Sequence, residues 1–131
     1  DTLEEWEAFK VVKQIVKTLI YLEINKIQHR DIKPENFLLK NKNDLSFLKL
    51  VDFGLSRDIS SSESFKNTQG STPVYMAPEL TQNKGCYKSD VWSLGVTLYK
   101  LLSGQYPFVG KSCLEIFCIS LTKKPDFSCC P

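Results

Sequence analysis

The chain has 131 residues, which is about one domain on the usual size scale. Hydrophobic residues make up 42% and charged residues 24%, a balance that excludes disordered, collagen-like and coiled-coil chains. The net charge is only +2, and the 15 lysines and two arginines are scattered without a basic block, so nucleic acid is not an expected partner.

Asp1, Glu4, Glu5 and Glu7 give the chain an acidic opening, unlike the basic start of a signal peptide. The longest uncharged apolar-rich run, Val91 to Tyr99, falls far short of the ~20 residues that cross a bilayer, so a soluble chain without a membrane partner is expected. Five cysteines, no CxxC pair and a single histidine point to free thiols in a reducing compartment. The cytoplasm is the expected location, with the nucleus as the other compartment of that kind. The cysteines, including adjacent Cys129 and Cys130, are expected to be inert.

In chain order, Thr2 and Glu5 form a capping-box pattern ahead of Trp6, Phe9, Val12, Ile15, Val16 and Leu19, so residues 3 to 24 are predicted as an amphipathic helix closed by Asn25 and Lys26. Phe37 to Lys40 and Phe47 to Val51 have strand character, and the polar segment Asn41 to Ser46 between them predicts a short antiparallel hairpin. Residues 55 to 72 are Ser-rich and aperiodic, a long loop of the kind that usually carries function. A second helix is predicted over Ser89 to Leu102, stopping before Gly104 and apolar on nearly every face, which suits the middle of a core. A third runs from Ser112 to about Leu121, ahead of Pro125. Trp6 and Trp92 are expected in the core.

The chemistry concentrates in His29-Arg30-Asp31-Ile32-Lys33-Pro34-Glu35-Asn36 and in Asp52-Phe53-Gly54, sixteen residues beyond Asn36. Phosphoryl transfer needs a carboxylate to orient the attacking hydroxyl, a cation beside the phosphate and oxygen ligands for magnesium. Asp31, Lys33, Asn36 and Asp52 are that set of residue types.

These segments resemble the protein kinase catalytic domain, matching its HRD-x-K-x-x-N loop, its DFG and, as Ala77-Pro78-Glu79, its APE. The resemblance extends through Ser71-Thr72-Pro73, Lys88 to Val96 and Gly104-Gln105-Tyr106-Pro107-Phe108. It implies a mainly α (α+β) fold, the C-terminal lobe of the kinase-like fold, with helices and a short hairpin. It also implies a protein kinase of the serine/threonine type that uses ATP and magnesium.

Residue by residue, the resemblance makes Asp31 the catalytic aspartate and Lys33 the cation on the γ-phosphoryl group. Asn36 and Asp52 become the magnesium ligands, Leu38 the floor under adenine, and Thr72 the partner of Asp31 and Lys33. Glu35 lies at the nucleotide and substrate side, where basophilic relatives contact an arginine of the protein substrate. Arg30 resembles the arginine that binds a phosphorylated loop residue, with Thr68 the first candidate for an upstream activating kinase and Ser64 and Ser71 lesser ones. Asp90 would anchor the catalytic-loop backbone, and His29 would pack under Phe53. Lys-Pro-Glu-Asn-Phe-Leu-Leu and Leu-Lys-Leu-Val-Asp-Phe-Gly-Leu-Ser are similar to calcium/calmodulin-dependent kinases, although the chain has no EF-hand pattern or calmodulin-binding helix.

No Gly-x-Gly-x-x-Gly and no Val-Ala-Ile-Lys strand occur in these residues, so residues 1 to 131 correspond to a partial domain without the nucleotide-covering lobe and the final helices. Glu79 is then expected without its family arginine, and the chain alone is expected to be inactive or nearly so. The alternative reading is a truncated kinase or pseudokinase acting as a binding or scaffold module.

Overall fold

The computed structural model describes residues 2–41, 44–59, 70–82 and 84–130. Three helices dominate it: α1 (Glu5–Ile24), α2 (Tyr87–Ser103) and α3 (Cys113–Thr122). Four strands form two separate two-stranded antiparallel sheets. One sheet pairs β1 (Ile27–Gln28) with β4 (Arg57–Asp58), and the other pairs β2 (Phe37–Asn41) with β3 (Asp44–Leu50). No helix among the described residues is long and apolar enough to cross a membrane.

The capping box of α1 lies at Glu4 and Glu7, not at Thr2 and Glu5. The Glu4 N–H donates to Glu7 Oε2 at 2.9 Å, so the helix starts two residues later than the sequence pattern places it. Leu3 is already committed elsewhere, its N–H donating to Leu101 O at the end of α2. The C-terminal end is as predicted, with Asn25 as the last cap and Lys26 left-handed at φ 57°.

The buried face of α1 is Ala8, Val11, Ile15 and Leu22, which meets Ile32 and Leu94 in the core. Trp6 is 60% exposed and Phe9 66%, contrary to the expectation that Trp6 belongs to the core. An amphipathic pattern with two apolar stripes leaves open which stripe turns inward. The outward rings each face a lysine ammonium instead, Lys10 Nζ lying 4.6 Å from the Trp6 ring centroid and Lys13 Nζ 6.0 Å from that of Phe9. Trp92 does pack, stacked on Phe108 at 5.7 Å.

The hairpin is longer than predicted, because β3 takes in Asp44 to Ser46 as well as the apolar run. Gln14 of α1 holds it. Its Nε2 donates to Leu45 O at 2.6 Å, and its Oε1 accepts from Leu48 N at 2.9 Å. The stretch predicted as a loop from residue 55 contains the two-residue strand β4, which joins Gln28 to Arg57 and Ile27 to Asp58. So short a strand has no periodicity for a sequence pattern to reveal.

Helix α2 begins two residues ahead of the predicted Ser89, with Cys86 at its cap. Ser89 Oγ accepts from Cys86 N at 3.3 Å and donates to Glu79 Oε1 at 2.8 Å, so Glu79 has a partner after all, within this chain. The helix stops at Gly104, which is left-handed at φ 72°. Ser112 caps α3 as predicted, accepting from Glu115 N at 3.2 Å. Thr97, in the middle of α2, is 0% exposed, and its hydroxyl has no hydrogen-bond partner among the described residues. Thr97→Val removes that unpaired hydroxyl at nearly constant shape, and we expect chemical denaturation to show a gain of about 1 kcal/mol.

Candidate functional site

The segment between β1 and β2 is turned by a backbone that few residues adopt. Arg30 in that segment has φ 70°, and Asp52, just past β3, has φ 63°; both are left-handed and neither is a glycine. The Arg30 turn is fixed from below by α2, where Asp90, only 3% exposed, accepts from His29 N at 2.8 Å and from Arg30 N at 2.9 Å. Those two bonds reward the strained turn, which costs about 1–3 kcal/mol by itself. Burial pushes the Asp90 carboxyl above its ordinary range, opposed by the two backbone donors.

The His29 ring is fully buried and uses both nitrogens. Its Nδ1 lies 3.3 Å from Asp31 N, an N–H that donates to it, and its Nε2 lies 3.2 Å from Val51 O. That pattern requires the neutral ring, protonated at Nε2 alone. Burial accordingly holds the His29 pKa below the usual 6.5, outweighing the raising effects of Asp90, Asp31 and Asp52. The Phe53 ring meets His29 edge-on at 4.8 Å, as the sequence reading places it.

Above this base sits a four-residue cluster. Lys33 Nζ lies 2.9 Å from Asp31 Oδ2 and donates to Thr72 Oγ1 at 3.2 Å, so Lys33 joins the loop to the chain 39 residues on. Asn36 Nδ2 donates to Asp31 O at 2.7 Å and to Asp31 Oδ2 at 2.9 Å. Both donors to the carboxylate converge on Oδ2, which leaves Oδ1 to take another proton. Asp31 is 8% exposed and Lys33 17%, so the pair is screened from bulk water but not sealed.

Asp52 reaches the same neighbourhood through the backbone, because Val51 N donates to Asn36 O at 2.9 Å. Asp52 is exposed, and its Oδ1 accepts from Gly54 N at 3.2 Å. A Cβ at position 54 would stand 3.1 Å from that oxygen, which is why a glycine suits the turn. Leu38 on β2 is 54% exposed, and Glu35 is exposed close enough to Tyr75 to raise that phenol's pKa, after burial and Tyr106. Arg30 is partly buried, and its pKa is lowered first by that burial and then by the Arg57 cation. Thr68 and Ser64 lie outside the described residues.

The sequence reading missed two supports. Gln28, 1% exposed, donates from Nε2 to Cys86 O at 2.8 Å, and Ser93 Oγ donates to Tyr75 O at 2.7 Å, fixing the stretch after Thr72 onto α2.

The Asp31 carboxylate on this strained loop, with the Lys33 ammonium across it and the Asn36 amide beside it, makes a site for polarising a hydroxyl next to an anion. A model described as the protein kinase domain matches residues 1–126, and the chain belongs to that family. Over 124 residues, 95% of this chain, it is 42% identical to calcium-dependent protein kinase 3 of Plasmodium yoelii yoelii and of Plasmodium berghei (strain Anka). Calcium-dependent protein kinase 5 of Plasmodium berghei (strain Anka) is 38% identical over 126 residues, 96% of this chain. The chain spans 22–23% of the length of these relatives. It resembles the calcium/calmodulin-dependent group within the serine/threonine kinases.

Two outcomes follow from this geometry. Removing the Asp90 carboxylate strands two buried backbone donors, so Asp90→Ala should lose about 3 kcal/mol or more in urea melts, with Asp90→Asn losing less. The neutral His29 sets the acid side of stability. Its folded pKa lies below the unfolded 6.5, so the unfolded chain binds the extra proton and stability falls as pH drops below 6.5. The urea midpoint should therefore decrease from pH 7.5 to pH 5.5, and the decrease should be smaller in His29→Phe.

Proposed function

We propose that residues 1 to 131 form the C-terminal lobe of a serine/threonine protein kinase, part of a longer domain that transfers the γ-phosphoryl group of ATP to a protein hydroxyl. The observation that carries this reading is the Asp31, Lys33, Asn36 and Thr72 cluster, with both donors on one carboxylate oxygen.

Asp31 Oδ1 orients the acceptor hydroxyl and takes its proton as oxygen bonds to the γ-phosphorus and the bridging oxygen leaves with ADP. Lys33 faces the charge that builds on the transferring group, and Thr72 holds Lys33 in place.

Magnesium suits the remaining donors. The hydrogen bonds of Asn36 leave through Nδ2, which keeps Oδ1 as a hard oxygen donor, and Asp52 presents a carboxylate. No group of three or more His, Cys, Asp or Glu able to hold a metal occurs among the described residues, which fits an ion completed by phosphate and water. When bound, magnesium neutralises and aligns the phosphates. Leu38, exposed on β2, would supply an apolar floor for the adenine.

Glu35 favours a basic residue near the acceptor in the protein substrate. Arg30 and the neighbouring Arg57 cation favour an added phosphate on the loop, with Thr68 as its site and an upstream kinase as its source.

The test is steady-state kinetics on the full-length kinase. Asp31→Asn should lower kcat by about 10²–10⁴-fold with ATP KM nearly unchanged. Thr72→Ala should cost about tenfold, the loss of one hydrogen bond to a charged group. A full-length protein whose basal turnover equals that of Asp31→Asn would replace this reading with the scaffold one.

A further inference from the structure

The segment after α3 folds back onto α2 through a single tyrosine. Tyr99 donates its hydroxyl proton to Asp126 O at 2.6 Å, and the same hydroxyl lies 3.1 Å from Cys129 Sγ. Asp126 Oδ1 accepts from Ser128 N at 2.9 Å and Cys130 N donates to Phe127 O at 3.0 Å, so residues 126 to 130 make a tight turn. Cys129 is exposed and Cys130 half-buried at its end, and both are free thiols. The turn edges a cavity of about 480 Å³ lined by Trp92, Phe108 and Phe127.

We propose that Cys129 and Cys130 form a two-thiol capture site for trivalent arsenic compounds of the arylarsonous acid class. Three other fates fit less well. A disulfide needs Cα atoms about 4.4–6.8 Å apart, whereas neighbours across a trans peptide are about 3.8 Å apart, so direct oxidation of the pair is strained. A closed zinc site needs four ligands, and no third His, Cys, Asp or Glu joins the pair among the described residues. Independent reaction at two ordinary thiols ignores their placement side by side in one tight turn, held by the Ser128 N–Asp126 Oδ1 and Cys130 N–Phe127 O bonds.

An arsenic atom bound to both sulfurs bridges a wider gap than a direct S–S bond. In the step, two As–S bonds form and two As–O bonds break. Each thiol proton leaves with a hydroxide as water, and no electrons are transferred. Cys113 and Cys118, five positions apart on α3, point to different helix faces and do not make a second pair.

Bidentate attachment makes the second bond intramolecular, which sets the expected size of the effect. The full chain is treated with phenylarsine oxide, challenged with excess glutathione, and read by intact mass and by mapping the peptide that begins at Lys124. The wild type should keep one equivalent, on Cys129 and Cys130, and release it to a 1,2-dithiol. Cys129→Ser and Cys130→Ser should each retain it about 100-fold less. Cys130→Ser leaves the Tyr99 contact in place and carries the test if Cys129→Ser misfolds. An adduct mapped to Cys86, Cys113 or Cys118, or equal retention in Cys130→Ser, would overturn the proposal.

Discussion

The buried carboxylate of Asp90 is the constraint on which the rest of the site depends. It reaches from the central helix to two successive backbone amides of the loop, and it allows Arg30 a left-handed turn that sterics oppose. Within three residues that turn sends His29 into the core and Asp31 toward Lys33 and Asn36. Without it the imidazole could not bridge Asp31 N and Val51 O, and the two halves of the site would be tied only by the hairpin. A carboxylate this deep is held by hydrogen bonds from fixed backbone donors and not from mobile side chains.

The reacting groups themselves are held more lightly. Lys33 spans from Asp31 to Thr72 on a flexible stem, and Asp52 stands exposed beside a glycine turn. Rigid support below and adaptable groups above suit a site that must admit a large anion and a protein chain in turn. The neutral histidine fits the same division, since it contributes packing and two hydrogen bonds but no charge.

The cluster was legible in the sequence because the chemistry dictates residue types at fixed spacing. Asp31, Lys33 and Asn36 lie within one short loop, whereas Thr72 was implied only by the resemblance to the kinase family. Helix positions were legible to within two residues, since Glu4 and Cys86 serve as caps where Thr2 and Ser89 carried the usual signal. The exposure of Trp6 and Phe9 was not legible, because periodicity reports that a helix has an apolar stripe and not which neighbour will cover it. Nor was β4, whose two residues pair with a strand nearly thirty residues earlier. Gln28 reads as an ordinary polar residue beside a histidine until its long-range bond to Cys86 O is seen.

The Gln14 clamp has a consequence for the chain's behaviour among other proteins. In a two-stranded ribbon each strand keeps one flank of unpaired amides and carbonyls, a template on which a stranger's backbone can add itself. On β3 that flank is occupied at Leu45 O and Leu48 N by an amide that imitates a peptide group and cannot propagate a further strand. A single side chain thus ends the sheet where a third strand would otherwise begin, and guards the hairpin that carries the chain to Asp52 from cross-strand association.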